Sequence, residues 1–132
     1  MPLTIKGVFM NEALLCLAMV VFKESRGEPI KAQYAVLEVV HNRTKHPNHP
    51  KDYCSVIKQP RQFSWYKGGK IKPPTYELEA WKQSVEVAKS FTNKKTNYTN
   101  GAIFFNHKSL GIRYAITTDH GRAVRLGNHV FF

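Results

Sequence analysis

The fold is decided by residues 11–43, which read NEALLCLAMVVFKESRGEPIKAQYAVLEVVHNR. Asn11 is a suitable N-cap, and the apolar run after it predicts a buried helix over residues 12–26. The turn at residues 27–29 ends that helix, because glycine favours a helix end and proline a helix start. The second helix, over residues 29–43, has apolar side chains spaced by three and four positions, which is typical of an amphipathic helix.

The rest of the chain predicts shorter elements around a long loop. The expected elements are a short helix (52–58), a long loop (59–75), a third long helix capped by Thr75 (76–91) and two short strands (102–105 and 129–132). The spacing in the third long helix predicts core positions at Leu78, Trp81, Val85 and Ala88. The sequence therefore predicts an α+β fold, mostly α, as one catalytic domain over residues 1–132 with a small β element.

The chain is strongly basic. Its 132 residues include 20 Lys and Arg against nine Asp and Glu, a net charge of +11. The excess lies in residues 45–74, with seven basic and one acidic side chain, and in residues 91–132, with six and one. This pattern fits either a well-solvated surface or attraction to a polyanion.

Two features bear on the cellular compartment. Cys16 lies in an apolar run and is expected to be a small core residue, while a Cys16–Cys54 bridge is possible but not indicated. The apolar segment 13–22 is too short to span a bilayer, which needs about 20 residues. No small-residue cleavage site follows it, so a buried helix is expected rather than a secretion signal.

Glu24 is the candidate acid. It falls in the last turn of the first helix, where the helix dipole and burial both disfavour a carboxylate and raise its pKa. A raised pKa suits a general acid. The competing interpretation is an exposed glutamate paired with Lys23 or Arg26.

Five blocks of sequence occur in order along the chain. They read LAMVVFKESRGEP (17–29), AVLEVVHNR (35–43), CSVI with QFSW (54–57 and 62–65), GAIFF (101–105) and LGNHVFF (126–132). Together they resemble the SleB-type cell wall hydrolase family, known from spore-cortex-lytic enzymes and phage lysins. Ser25 stands where that family usually has alanine, and residues 106–122 lack its usual proline and tryptophan.

The resemblance implies a lysozyme-like fold and cleavage of the peptidoglycan glycan between MurNAc and GlcNAc, usually as a lytic transglycosylase. It assigns the catalytic acid to Glu24. The chain is then expected to be a monomeric phage-type endolysin without cofactor or metal, cytoplasmic until a holin releases it. On this interpretation the positive charge attracts anionic cell envelope polymers rather than specific nucleic acid.

The residues fit a mechanism with one acid/base. Ordinary glycoside hydrolysis needs two carboxylates, and no second one suggests itself. Asp52 and Asp119 fall in uncertain loops. Glu28 is counted among the substrate-side residues, as a cap or a partner of Arg26 rather than the catalyst.

The substrate-binding candidates combine aromatic faces with hydrogen-bonding groups, the pairing that sugars require. They are Gln62, Phe63, Ser64, Tyr98, Ala102, Asn106, His107 and Glu28. Phe63 is also a candidate core residue beneath the long loop. His129 is expected to be a structural hydrogen-bonding group.

Three alternatives compete with the transglycosylase. One is a hydrolytic muramidase. Another is a zinc amidase, with His107, Asp119, His120 and His129 as candidate ligands, although no tight ligand spacing supports it. The non-enzymatic alternative is a nucleic-acid-binding module that uses the basic loop 67–72 beside Trp65 and Tyr66.

Overall fold

In this computed structural model the chain is described for residues 3–5, 8–110, 117–118 and 121–132. The helices are α1 (Glu12–Ser25), α2 (Ile30–Thr44), α3 (Tyr53–Ile57) and α4 (Leu78–Asn93), with a short 3₁₀ helix at Lys108–Leu110. The strands are β1 (Leu3–Ile5), β2 (Val8–Met10), β3 (Phe105–His107), β4 (Thr117–Thr118), β5 (Gly121–Arg122), β6 (Val124–Leu126) and β7 (His129–Phe131).

Helix α1 is the centre of the molecule. Its N-cap forms as predicted, because Asn11 Oδ1 accepts a hydrogen bond of 2.8 Å from the backbone N–H of Leu14. Every side chain from Leu15 to Phe22 is buried, and α1 packs against α2, α3 and α4. A helix that is apolar on all sides is stable only inside a core, which explains its position.

Helices α2 and α4 cover α1 with one apolar face each. The predicted core positions of α2 are all buried. In α4, Trp81, Val85 and Ala88 are buried, but Leu78 is 46% exposed, so its assignment to the core was wrong. The predicted cap was also wrong, because α4 begins only after Glu77, which adopts a left-handed conformation (φ 47°) at the end of the exposed loop. Leu78 is therefore the first helical residue, and its side chain lies outside the core.

The small sheet packs beside the helices. Its strands are antiparallel in the order β3–β7–β6, with Phe105 opposite Phe131 and His107 opposite His129. The predicted C-terminal strand is confirmed, whereas the predicted strand 102–105 begins only at Phe105. Residues 103 and 104 both donate backbone hydrogen bonds to Phe132 O, at 3.0 and 2.8 Å, and do not continue the regular ladder. The pairing of β1 with β2 was not predicted.

Cys16 and Cys54 form a disulfide, which the sequence pattern did not indicate. The bond joins the buried helix α1 to α3, the helix that leads into the long loop. Cys16 is buried as expected, but it is a bridge rather than a simple core residue.

The expected fold class, α+β and mostly α, is confirmed by this architecture. No helix within the described ranges is long and apolar enough to cross a membrane.

Reduction of the disulfide should destabilise the protein. The bridge spans 38 residues, and the loss of this constraint on the unfolded chain costs about 4 kcal/mol in the chain-entropy model. Urea unfolding with and without a thiol reductant measures the difference. The double variant Cys16→Ala/Cys54→Ala is the control and should not respond to reductant. Identical unfolding curves for the wild type under both conditions would contradict this prediction.

Candidate active site

Glu24 lies in the last turn of α1, at the edge of the core. It is half-buried, and its Oε2 accepts a hydrogen bond of 2.8 Å from the indole Nε1 of Trp65. Burial raises the pKa of Glu24 above its usual value of 4.5, and the bond from Trp65 offsets part of that rise. This carboxyl group therefore holds its proton to a higher pH than an exposed glutamate does.

The two cations next to Glu24 in sequence bind elsewhere. The Arg26 guanidinium pairs with Glu77 (Nη2 to Oε2, 3.0 Å) and donates to the carbonyl of Phe22. Lys23 Nζ donates to the hydroxyl of Tyr76 at 2.9 Å. The alternative interpretation of Glu24 as one half of a surface ion pair with Lys23 or Arg26 is therefore wrong.

A cleft of about 330 Å³ opens beside Glu24. Its lining comes from α1, α2, the long loop and the sheet, and consists of Glu24, Arg43, Arg61, Gln62, Phe63, Ser64, Phe105, Asn106, His107, Leu110 and His129. Six of the nine site residues predicted from the sequence thus meet in one place, although they are separated by up to 83 positions in the chain.

Phe63 has two roles in this cleft. Its side chain is only 6% exposed and packs against the rings of Trp65 and Phe105, with centroids 5.7 and 6.3 Å away. It therefore fills the core under the long loop, as the competing interpretation expected, while one part of it borders the cleft. By holding Trp65, it also fixes the hydrogen-bond donor of Glu24.

The structure does not bring Tyr98 and Ala102 into this cleft. The backbone N–H of Tyr98 donates to the buried carboxylate of Glu38 at 2.9 Å, which holds this residue at a different depression of the surface. Ala102 is fully buried, and its carbonyl accepts a hydrogen bond of 2.9 Å from Asn42 Nδ2. The assignment of both residues to the substrate cleft is therefore corrected.

Glu28 is neither a helix cap nor a partner of Arg26. Its two carboxylate oxygens accept hydrogen bonds from the backbone N–H of Asn128 (2.7 Å) and from Asn128 Nδ2 (2.9 Å). The N-cap of α2 is Pro29. Glu28 thus fastens the turn between α1 and α2 to the turn between β6 and β7.

The charge of Glu28 is stabilised where it lies. Burial raises its pKa, but the two bonds from Asn128 and the nearby His129 and His107 outweigh burial and leave the pKa below its usual value. The site also requires a glycine at position 127, where φ is +61° and a Cβ would collide with Glu28 Oε1. Glu28 does not line the cleft itself, but its Oε1 lies 4.0 Å from Nδ1 of His129, which does.

Arg43 is one of four cleft residues, with Arg61, Phe105 and Leu110, that were not predicted from the sequence. Its side chain is buried, and its Nε donates a hydrogen bond of 2.7 Å to the carbonyl of Ile103. Burial lowers the pKa of Arg43 to about 10, so the guanidinium remains charged near neutral pH. The sequence pattern could have indicated that Arg43 is buried, because this residue continues the apolar stripe of α2 at Val36, Val39 and Val40.

The candidate zinc ligands that the structure describes do not form a cluster. Within residues 8–110 and 121–132, no group of three His, Cys, Asp or Glu side chains lies close enough to hold a metal ion. Asp119 and His120 lie outside the described residues, as does part of the segment 106–122.

Replacement of Glu24 by glutamine should stabilise the protein above neutral pH. Because the pKa of Glu24 is raised on folding, its ionisation costs stability at pH values above the folded pKa and has no such cost below the unfolded one. We expect Glu24→Gln to unfold at a higher temperature than the wild type at about pH 8, with the gain lost at about pH 4. Thermal unfolding across this pH range measures it.

The matched control for this prediction is Glu86→Gln, an exposed glutamate on α4 beside Lys89. It should show no comparable gain at high pH. A Glu24→Gln variant no more stable than the wild type at about pH 8 would contradict the raised pKa.

Replacement of Glu28 by glutamine should have the opposite pH dependence. Glutamine cannot accept both hydrogen bonds from Asn128, so we expect a loss of about 1–3 kcal/mol near neutral pH. Because the folded pKa is lowered, the contribution of Glu28 is present above the unfolded pKa and disappears as the pH falls through the folded one. Urea unfolding over a pH series checks this, and a difference constant at every pH would refute it.

Comparison with known proteins places this chain in a family. A family model described as cell wall hydrolase matches residues 27–132. The spore cortex-lytic enzyme of Bacillus subtilis (strain 168) is 37% identical over 65 residues, which make up 49% of this chain and 21% of that protein. The chain thus spans about a fifth of the length of this curated relative.

Two solved structures share the architecture. The catalytic domain of the germination-specific lytic transglycosylase SleB from Bacillus anthracis superposes with a TM-score of 0.66 at 25% identity, covering 97% of this chain and 98% of that one. The catalytic domain of the Bacillus cereus SleB protein gives a TM-score of 0.64 at 24% identity, covering 91% and 88%, and shows the common fold. The family resemblance inferred from the five sequence blocks is confirmed. Since the family model covers most of its length, this chain belongs to the cell wall hydrolase family.

Proposed function

We propose that this protein cleaves the glycan strand of peptidoglycan as a lytic transglycosylase with Glu24 as its single acid/base. The observation that carries the proposal is the placement of Glu24: it is the only carboxylate among the described residues that line the cleft, and its pKa is raised. A carboxyl group that holds its proton to a higher pH is suited to protonate the sugar oxygen that leaves.

The first step would use Glu24 as an acid. The protonated carboxyl donates its proton to the glycosidic oxygen as the bond from C1 of the muramyl sugar to that oxygen breaks, which leaves an oxocarbenium-like centre at C1. The Trp65 indole N–H then supports the carboxylate that forms, since it already donates to Oε2.

The second step would use Glu24 as a base. The carboxylate takes the proton of the C6 hydroxyl of the same sugar as that oxygen bonds to C1, which closes a 1,6-anhydro ring. No water is consumed, and Glu24 regains its proton. Hydrolysis would instead require a second group to activate water, and no other carboxylate lies among the described residues of the cleft.

The remaining walls of the cleft suit a saccharide. Gln62, Ser64 and Asn106 offer amide and hydroxyl groups for sugar hydroxyls and acetamides, and Phe63 with Phe105 adds apolar surface. Strand β3 lies at the edge of the three-stranded sheet, where it pairs with β7 on one side only among the described strands. Its outer peptide groups are therefore placed to bond an acetamide along the cleft.

The relatives support the reaction type. One similar catalytic domain is named a germination-specific lytic transglycosylase, and the matched curated protein is named a spore cortex-lytic enzyme. Carried over to this chain, those names favour glycan cleavage over amide cleavage. The narrower expectations stay predictions: a phage-type endolysin, a cytoplasmic location before holin-dependent release, attraction to anionic envelope polymers, and a monomer.

Glu24→Gln should abolish cleavage. Removal of a general acid–base group costs about 10²–10⁴-fold in rate, and here one group serves both steps. Release of soluble fragments from purified peptidoglycan sacculi measures the rate, and mass spectrometry of the wild-type digest identifies the ends. We expect 1,6-anhydromuramyl ends from the wild type.

The control for this experiment is again Glu86→Gln, which changes the same functional group away from the cleft and should retain the wild-type rate. Reducing muramic ends in the wild-type digest would identify a hydrolase, and freed peptides would identify an amidase. Substantial turnover by Glu24→Gln would remove Glu24 from the acid role.

A further inference from the structure

A second depression, which we call the Tyr98 pocket, shares no lining residue with the cleft of Glu24. It encloses about 410 Å³ between α2, the end of α4 and the segment that follows α4. It is lined by Tyr34, Ser90, Lys94, Lys95, Thr96, Asn97 and Tyr98. The pocket therefore combines two phenol rings, two ammonium groups and further hydrogen-bonding groups.

A buried carboxylate beneath the pocket fixes the backbone of the segment that lines it. Glu38 is 2% exposed and accepts hydrogen bonds from the Thr96 hydroxyl (2.6 Å), the Tyr98 N–H (2.9 Å) and both the N–H and the hydroxyl of Thr99 (2.9 and 2.8 Å). Four donors on one carboxylate hold the segment 96–99 in a single arrangement. The backbone that carries the Tyr98 ring is thus set before any ligand arrives.

The charge of the pocket is positive. Both oxygens of Glu38 are occupied, and no carboxylate is among the described residues that line the pocket. Lys94 and Lys95 line it, and Lys31 Nζ lies 5.6 Å from the centre of the Tyr98 ring. Because Lys31, Tyr34 and Glu38 are spaced by three and four residues on α2, the third ammonium faces the same side.

We infer that the Tyr98 pocket binds an anionic saccharide of the cell envelope, a sugar that carries a phosphate or a carboxylate. The tyrosine rings offer faces for the C–H side of a sugar, and the lysines offer charge-assisted hydrogen bonds to the anion. The volume suits one or two sugar rings, whereas a nucleic-acid strand is held along a groove over several nucleotides. The inference deepens the proposed function and rests on it, because a glycan-cleaving enzyme meets such sugars next to its substrate.

A second attachment point would raise the time the enzyme spends on the wall. Each binding event at the Tyr98 pocket keeps the cleft at a high effective concentration of glycan, so that the two weak sites act together. The tyrosine that the sequence assigned to the substrate cleft therefore contacts a different part of the same wall.

Binding can be tested apart from cleavage, in the full chain carrying Glu24→Gln. The probes are purified sacculi that retain their phosphodiester-linked polymers and the same sacculi after those polymers are removed with hydrofluoric acid. Further substitution with Lys94→Gln/Lys95→Gln or with Tyr98→Ala should weaken co-sedimentation with untreated sacculi by about tenfold, equivalent to about 1.4 kcal/mol. If the bound anion is a phosphate, removal of the polymers should weaken binding of the Glu24→Gln protein by a similar factor. If it is a carboxylate, removal of the polymers should not change this binding.

The matched control is Lys67→Gln/Lys70→Gln, which removes the same charge from the exposed loop. It should change binding by less than about twofold, because surface charges away from the ligand contribute little. An equal loss in this control would reduce the effect to net charge and overturn the inference. Unchanged binding by Tyr98→Ala would also overturn it, as would tenfold losses on single-stranded DNA with none on sacculi. Circular dichroism melting confirms that each variant is folded.

The two proposals fail in different ways. Because binding is measured in the Glu24→Gln background, it does not depend on catalysis. A wild type that binds sacculi through the Tyr98 pocket but releases no anhydro ends contradicts the proposed function alone. The opposite result contradicts the inference alone. In that case the wild type cleaves short soluble glycan fragments, and Lys94→Gln/Lys95→Gln changes neither this rate nor binding to sacculi.

Discussion

The complete burial of α1 is the constraint on which the rest of the structure depends. Its residues from Leu15 to Phe22 are enclosed by three other helices, and each large apolar side chain contributes about 1.5–3 kcal/mol by leaving water. Because this packing holds the helix in place, the position of its last turn is also fixed. Glu24 lies in that turn, at the boundary between core and cleft, where its carboxyl group is partly removed from water yet accessible to a ligand. The same burial that stabilises the fold therefore sets the acidity of this group.

The cleft exists because the sheet is fastened to the helices at its rim. Glu28 binds Asn128, Asn42 binds the carbonyl of Ala102, and Arg43 binds the carbonyl of Ile103. These bonds use buried or half-buried partners, so each would leave an unpaired polar group if it broke. The sheet is thereby held at one distance from α1, and the residues of β3 face Glu24 across the gap.

Local patterns predicted what is local. The three long helices follow from apolar spacing, together with the cap residue Asn11 for α1, and the loop residues Gln62 and Ser64 follow from their chemistry. The disulfide and the places of Tyr98 and Ala102 did not follow, because they depend on partners 38 to 60 residues away. The burial of the Glu38 carboxylate could not be predicted for the same reason. Glu38 lies in an amphipathic helix, and the spacing of that helix does not reveal the four donors, about 60 residues away in the sequence, that surround the carboxylate.

A basic protein that uses a carboxylic acid must prevent neighbouring cations from pairing with that acid. The chain has 20 Lys and Arg against nine Asp and Glu, and Lys23 and Arg26 lie on either side of Glu24 in the sequence. A paired cation would stabilise the carboxylate and lower its pKa. Residues 76 and 77 prevent this, since Tyr76 accepts from Lys23 and Glu77 binds Arg26. The left-handed backbone at Glu77, unfavourable for a residue with a side chain, places that carboxylate beside Arg26 just before α4 begins. The long loop and the residues that follow it thus affect the acidity of Glu24 in two ways: Tyr76 and Glu77 bind Lys23 and Arg26, and Trp65 donates one neutral hydrogen bond to the carboxyl group.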